Sequence, residues 1–405
     1  MINLLIIDNF KSISWLEMPL SKFNCLVGMN GAGKSTLLQA IDFATRQLSG
    51  DIEDWLNARG WEAKDLSCKL RKEQNIKMAL SVSLPKSQKT ISWAFSFNKK
   101  ELRCTHEEFK DITGALVFFS DGQHYFTGGS KREIGFNYQG SILSRLKDSE
   151  LSDELREFRD HIRRVKSLEL LSPQLLRKRA RSGETDIGAG GEKLSAYLHG
   201  IKGEQRLSLI ALLQVFYPSL VDFKITNMRA GWKRLSIIEQ FGTHKIETDA
   251  SHINDGLLRI LAVLAQTQSE HSLVLLDEIE NGINTEIVEK LVDTLSGAKQ
   301  QIIVTSHSPM ILNYMTDEIA RKAVQFVYKS SLGLTGVRRF FDVPRIGQKL
   351  ACMGPGEAFV DTDLSQLADE CVNMDSLAAE TREKDFKEAL SRYLENMAAE
   401  RRDIP

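Results

Sequence analysis

Residues 28–36 read Gly-Met-Asn-Gly-Ala-Gly-Lys-Ser-Thr and match the pattern G-x-x-x-x-G-K-[ST]. Glycines at 28, 31 and 33 permit positive φ and close backbone approach, so successive N–H groups can turn toward phosphate oxygens. Lys34 has the reach and charge for the β- and γ-phosphates, and the Ser35 hydroxyl is the expected oxygen ligand of Mg²⁺. A second group of reactive side chains stands far along the chain. Residues 273–280 read Leu-Val-Leu-Leu-Asp-Glu-Ile-Glu, an apolar run ending in carboxylates. Adjacent strand residues point opposite ways, so Asp277 can serve the metal while Glu278 orients and deprotonates an attacking water. Residues 302–309, Ile-Ile-Val-Thr-Ser-His-Ser-Pro, place His307 just past another apolar run. A neutral imidazole there can bond both phosphate and water.

Each group needs an element to carry it. The loop lies between the apolar run 23–27 and the helix-like stretch 37–41, and that strand–loop–helix setting gives the pattern its meaning. Strands buried on both faces read as continuous apolar runs; 273–276 is such a run, and 301–305 is predicted as a further core strand. Their C-terminal tips open where α/β folds bind ligands. Asp255-Gly256, after Asn254, open a predicted helix over 257–265. A helix N-terminus with a glycine is an anion site, and the same residues also make an ordinary helix cap.

The chain has 405 residues, 42% of them hydrophobic, and a net charge of −1. It can bury a large core, and its overall charge gives no attraction to nucleic acid or membrane. Five scattered cysteines without C-x-x-C spacing fit a reducing cytoplasm and argue against a structural zinc site. No segment approaches a membrane-spanning length, and the first ten residues read as a strand. Further strands are predicted at 77–97, as a hairpin turning at 85–88, at 114–119, and near 223–226, 234–240 and 245–248. The fold class expected is α/β, with an antiparallel β subdomain and a helical insertion. The expected segments are an N-terminal lobe over 1–140, a helical insertion over 141–220, a C-terminal lobe over 221–345 and a helical tail over 346–405. On that tail, Phe386, Leu390, Tyr393, Leu394 and Met397 form one apolar stripe.

Together these residues resemble an ABC-type ATPase head of the RecF/SMC/OLD-like branch, in its short form without long coiled coils. The resemblance covers roughly residues 1–345. It runs through the opening stretch 1–13, the loop 30–36 (Asn30, Gly31, Ala32, Gly33, Lys34, Ser35, Thr36), Ala58-Arg-Gly-Trp61, and the linker-like stretches 171–177 and 190–198. It continues through 254–259, which matches the signature S-D-G-x-L-R, and through 277–283 and 305–309. The resemblance implies binding and hydrolysis of ATP with Mg²⁺, with Lys34, Glu278 and His307 catalytic and with Ser35 and Asp277 at the metal. It also implies a head-to-tail homodimer or higher oligomer, in which Asn254, Asp255 and Gly256 of one subunit cap the ATP of the other. Asn254 stands where that family has serine, and Ser251 is the nearby hydroxyl that could substitute. Stand-alone heads of this kind resemble cytoplasmic components of bacterial anti-phage defence and DNA repair, acting with a separate nuclease or toxin.

Three side readings follow. Nine Lys and Arg between 156 and 181, on a projecting helical insertion, could follow a DNA backbone, or could be a solvated helix with salt bridges between lobes. Asp361-Thr-Asp363 resembles half of a Toprim D-x-D, but fewer than 100 residues follow His307, too few for that domain. The long insertion between Lys34 and Asp277, and the absence of L-S-G-G-Q, argue against a membrane transporter's cassette.

Overall fold

The computed structural model describes residues 1–127, 129–181, 185–380, 388–389 and 391–392. The chain divides into two units, residues 1–165 with 317–405, and residues 166–316. These boundaries are not those of the four expected segments. Residues 141–165, read above with the insertion, and everything after 316 belong to the first unit.

In the first unit an antiparallel sheet of eight strands forms mostly from sequence neighbours. Its order is Ile13–Pro19, Ile2–Phe10, Asn75–Ser83, Thr90–Asn98, Arg103–Asp111, Leu116–Ser120, His124–Thr127 and Ser130–Glu133. The turn between the first two strands carries Asn9 and Lys11 at positive φ. Asn9 is fully buried and its carboxamide is satisfied by backbone, donating to the Glu73 and Asn75 carbonyls and accepting from the Cys68 N–H. The predicted hairpin forms with Leu80 opposite Trp93. Ile91, Trp93, Phe95 and Phe97 are all buried, as the alternation requires. Trp93 and Phe109 both pack on Phe158 of the helix Asp153–Arg163. Arg103–Asp111 was not legible as a strand. Its sequence is polar, and it buries only Cys104, Glu107 and Phe109.

The same unit holds a smaller set of strands. Phe23–Val27 runs parallel to Val324–Lys329, which pairs antiparallel with Thr335–Arg339. All five residues of Phe23–Val27 are buried. The helix Lys34–Arg46 buries Leu37, Leu38, Ile41 and Phe43, and Phe43 lies against Phe10 and Phe97. The apolar stripe expected at 386–397 lies on residues outside those described. Ala389, which is described, packs with Leu4, Ile6 and Ala79.

In the second unit Leu273–Leu276 and Gln301–Thr305 are parallel neighbours, with Leu276 opposite Val304. The helix Thr285–Ser296 connects them and buries Val288, Leu291, Val292 and Leu295. Both strands are buried at every position, so the continuous apolar runs are explained. A short strand, Val165–Ser167, begins at the unit boundary, and the Leu168 N–H donates to the Leu275 carbonyl. It interrupts a stretch that reads as helical throughout. The helix Asp255–Thr267 and the antiparallel strands Leu220–Asn227, Lys233–Phe241 and His244–Asp249 complete the unit's main elements. The fold class is α/β, with an antiparallel sheet and helical insertions, as expected. Among the described residues no helix is long and apolar enough to cross a membrane. All five cysteines are free thiols.

Candidate nucleotide site

The phosphate loop is held by fit against the strands beside it. Gly28 has φ 149°, and a Cβ there would lie 2.1 Å from the Val327 carbonyl oxygen. Gly33 has φ 111°, and its Cβ would lie 2.3 Å from the Thr335 hydroxyl. That hydroxyl donates to the Ala32 carbonyl at 2.9 Å, and Lys329 Nζ donates to the Gly31 carbonyl at 3.2 Å. Asn30 and Gly31 are exposed on the loop, whereas Ala32 is buried. Lys34 is buried under it, its Nζ donating to the carbonyls of Gly28 at 2.8 Å and Met29 at 3.1 Å. Gly33 is the N-cap of the helix that follows, and no side chain caps it. The first N–H groups of a helix point out of its N-terminal end, and the helix dipole makes this end positive. A phosphate fits that cradle, with Lys34 as its counter-charge.

The acid group is held instead by a web of hydrogen bonds within the second unit. Glu278 has φ 47°, a left-handed conformation that costs a non-glycine residue about 1 kcal/mol or more. Its N–H donates to Thr305 Oγ1 at 2.8 Å, and that hydroxyl donates onward to Asp277 Oδ1. Two carbonyls, those of Asp277 and Glu278, accept from Arg259 Nη2 at 2.5 and 2.8 Å. The Glu278 carboxylate lies 3.1 Å from His307 Nε2 and accepts from Asn281 Nδ2 at 3.2 Å. A carboxylate only accepts, so this contact puts the imidazole proton on Nε2. Glu280 Oε1 fixes the segment carrying His307 by accepting from Ser306 Oγ and from the N–H groups of His307 and Ser308. Asp277, Glu278 and His307 are thus brought together within the second unit.

Arg259, Glu280, Asn281 and Thr305 were missed as site residues. The only sequence signal for Glu280 and Asn281 was their position just past two acids. Thr305 ended an otherwise apolar strand.

Asn254, Asp255 and Gly256 stand at the start of the helix Asp255–Thr267. Asn254 Oδ1 accepts from the Leu257 N–H at 2.8 Å, so the amide oxygen caps its own helix. Asp255 pairs with Arg177 at 2.5 Å. A Cβ on Gly256 would lie 2.6 Å from the Gly282 carbonyl oxygen, which places the helix start directly on the turn after the acids. Ser251 donates to Asp249 at 2.6 Å.

The basic segment 156–181 does not form one helix. Its first helix ends at Arg163, the strand Val165–Ser167 follows, and Arg159 and Lys166 are buried against Asp148 and Asp186. Arg163 donates to the Leu48 and Ser144 carbonyls. Lys178, Arg179 and Arg181 remain exposed. Asp361 pairs with Lys349, and Asp363 accepts from the Ser365 and Gln366 N–H groups, so both have local structural roles.

Among solved structures the chain is similar to an SMC head bound to the C-winged helix domain of ScpA. The identity is 15%, over 83% of this chain and 96% of that one, with a TM-score of 0.49. It is also similar to the SMC head domain from Thermotoga maritima, at 14% identity over 83% and 98% with a TM-score of 0.43. A third is the Smc head domain with an extended coiled coil bound to the C-terminal domain of ScpA, derived from Pyrococcus furiosus. There the identity is 14%, over 86% and 99%, with a TM-score of 0.48. No curated protein matches the chain. A family model matches residues 23–313, which take in the phosphate loop, the helix start at 254–256, the acid pair and His307. That stretch is more than two thirds of the sequence, and the chain therefore belongs to the family described as "AAA domain, putative AbiEii toxin, Type IV TA system".

Proposed function

We propose that this protein is an ABC-type ATPase of the RecF/SMC/OLD-like branch. In this reading it closes as a head-to-tail dimer on ATP and drives a separate effector, a nuclease or toxin, in anti-phage defence or DNA repair. Lys34 and the N–H groups of residues 31–36 hold the phosphates. Ser35 and Asp277 hold Mg²⁺, which polarises the phosphates when bound. Among the described residues no cluster of three or more His, Cys, Asp or Glu could hold a metal alone. That suits Mg²⁺, which takes one or two protein oxygens and completes its shell with phosphate and water. Glu278 takes the proton of the attacking water, His307 keeps that carboxylate aimed, and Asn254 to Gly256 cap the partner subunit's nucleotide. The family description supports the defence setting over repair.

The observation that carries this reading is the strained Glu278 with His307 on its carboxylate. Such an arrangement is the usual mark of a group kept ready for chemistry. Substituting Glu278→Gln tests it. Turnover should fall at least about 100-fold, as for loss of a general base, while ATP still binds and ATP-bound dimers accumulate on size-exclusion chromatography. A second reading, an ATP-locked scaffold with little turnover, draws on asparagine standing at position 254 in place of serine, with its carboxamide oxygen used as a helix cap. Under it the wild-type rate is already low and Glu278→Gln barely changes it.

A further inference from the structure

The side chain that joins the two functional parts of the second unit is Arg259. It sits five residues after the Asn254 cap, on the second turn of the helix Asp255–Thr267. Its guanidinium donates to both peptide carbonyls at the tip of the acid strand, those of Asp277 and Glu278. Both bonds leave from the single nitrogen Nη2, whose two N–H groups are fixed in the guanidinium plane. These acceptors flank the one acid residue in a left-handed conformation. Thr305 holds the N–H side of Glu278, Arg259 holds its carbonyl side, and His307 with Asn281 hold its carboxylate. The helix start touches the same segment a second time, through Gly256 on the Gly282 carbonyl. Burial lowers the Arg259 pKa, and the nearby Glu278, Asp277 and Glu280 carboxylates offset part of that, which keeps the side chain a cation inside the network.

We infer that Arg259 is a positioning residue that makes the aim of Glu278 depend on what the Asn254–Gly256 helix start contacts. It thereby couples the nucleotide bound by one subunit to the catalytic acid serving the other. This rests on the dimeric ATPase reading above. A displacement of the helix start cannot leave the tip unmoved, because Arg259 and the Gly256 contact fix the two elements at two points. The strained Glu278 peptide, stable only while its surroundings over-determine it, is the element such a shift would release.

The test uses Arg259→Ala with Arg259→Lys beside it. Turnover of Arg259→Ala should fall about 30- to 100-fold with KM held within about threefold, because the loss falls on the chemical step. Free guanidinium at low, non-denaturing concentration should restore part of that rate, which it would not do for a purely folding defect. Mixed dimers of Arg259→Ala with Glu278→Gln give the direction of coupling. If Arg259 serves the Glu278 of its own chain, both sites in the mixed dimer are dead. Survival of about half the wild-type rate overturns the inference. Hydrogen exchange without nucleotide decides independently of turnover. Residues 277–281 should exchange at least about tenfold faster in Arg259→Ala, with 28–46 unchanged, and Arg259→Lys should be intermediate. Unchanged exchange at 277–281 overturns the coupling. Absence of turnover in the wild type would instead overturn the ATPase reading and leave the exchange result to judge Arg259.

Discussion

The phosphate loop and the acid tip are built by opposite means. In the first unit the loop keeps its shape because nothing larger than hydrogen fits at Gly28 or Gly33 against Val327 and Thr335. In the second unit the tip keeps its shape because Thr305 and Arg259 each hold two polar atoms of Asp277 and Glu278, and Asn281 and His307 hold the Glu278 carboxylate. The steric device fixes a backbone whatever the charge state of its surroundings. The hydrogen-bonded device can be released by losing one partner, and a group that must act only at the right moment gains from that. Under the proposed ATPase reading, a rigid cradle and a releasable acid are what each task requires.

The comparison is broken most severely at Gly28. Alanine there brings a methyl group to 2.1 Å from the Val327 oxygen, and backbone cannot swing aside as a side chain can. Gly28→Ala should cost more than about 3 kcal/mol in denaturant unfolding, whereas Gly31→Ala should cost only about 1 kcal/mol. Gly31 has φ 75°, but nothing lies within 4 Å of its added Cβ, so strain alone is charged to it. Equal losses at the two positions would mean that the loop is not held by contact with its neighbouring strand.

This difference also explains what the sequence made legible. Glycines at 28, 31 and 33 mark a backbone requirement, and only one residue type meets it, so the loop could be read without its surroundings. The runs 273–276 and 302–304 were readable because burial on both faces leaves no polar residue within them. By contrast, Arg259 and Thr305 fall inside the stretches 254–259 and 305–309 that carry the resemblance, but nothing local in the sequence gives either a role. Their roles exist only through partners 18 to 28 residues away. Lys329 and Thr335, which clamp the loop, lie about 300 residues from it, beyond any local pattern. The strand Arg103–Asp111 was hidden for a related reason, since one of its three buried side chains is a glutamate.

That glutamate sharpens the comparison through pH. Glu107 is fully buried and accepts from Trp93 Nε1 at 3.3 Å and the Ile142 N–H at 2.9 Å. Burial raises its pKa from 4.5 to about 7, with bonds from Ser141, Ile142 and Trp93 opposing only part of that. Between those values the folded chain keeps a proton that the unfolded chain releases. Its stability is therefore full below about 4.5 and falls as pH rises through about 7, by about 3 kcal/mol in all. Glu107→Gln should flatten this dependence and raise stability at pH 8. Trp93 fluorescence is the natural readout, because its indole bonds directly to Glu107. An unchanged slope between pH 5 and 8 would remove Glu107 from the account.

The mildest break is Thr305→Val, which keeps the shape and deletes the hydroxyl. Valine leaves the buried strand Gln301–Thr305 apolar to its end, so packing with Leu273–Leu276 survives. What goes is one acceptor for the Glu278 N–H and one donor to Asp277. Each protein hydrogen bond contributes about 1 kcal/mol net, and an amide left without its acceptor adds about as much again. Turnover should therefore drop about 10- to 30-fold, with stability lower by only about 1–2 kcal/mol, and ATP affinity should hold because no loop contact is touched. If Thr305→Val instead weakened ATP binding while leaving turnover per bound nucleotide intact, the threonine would belong with the cradle. The division between a steric loop and a hydrogen-bonded acid would then fall.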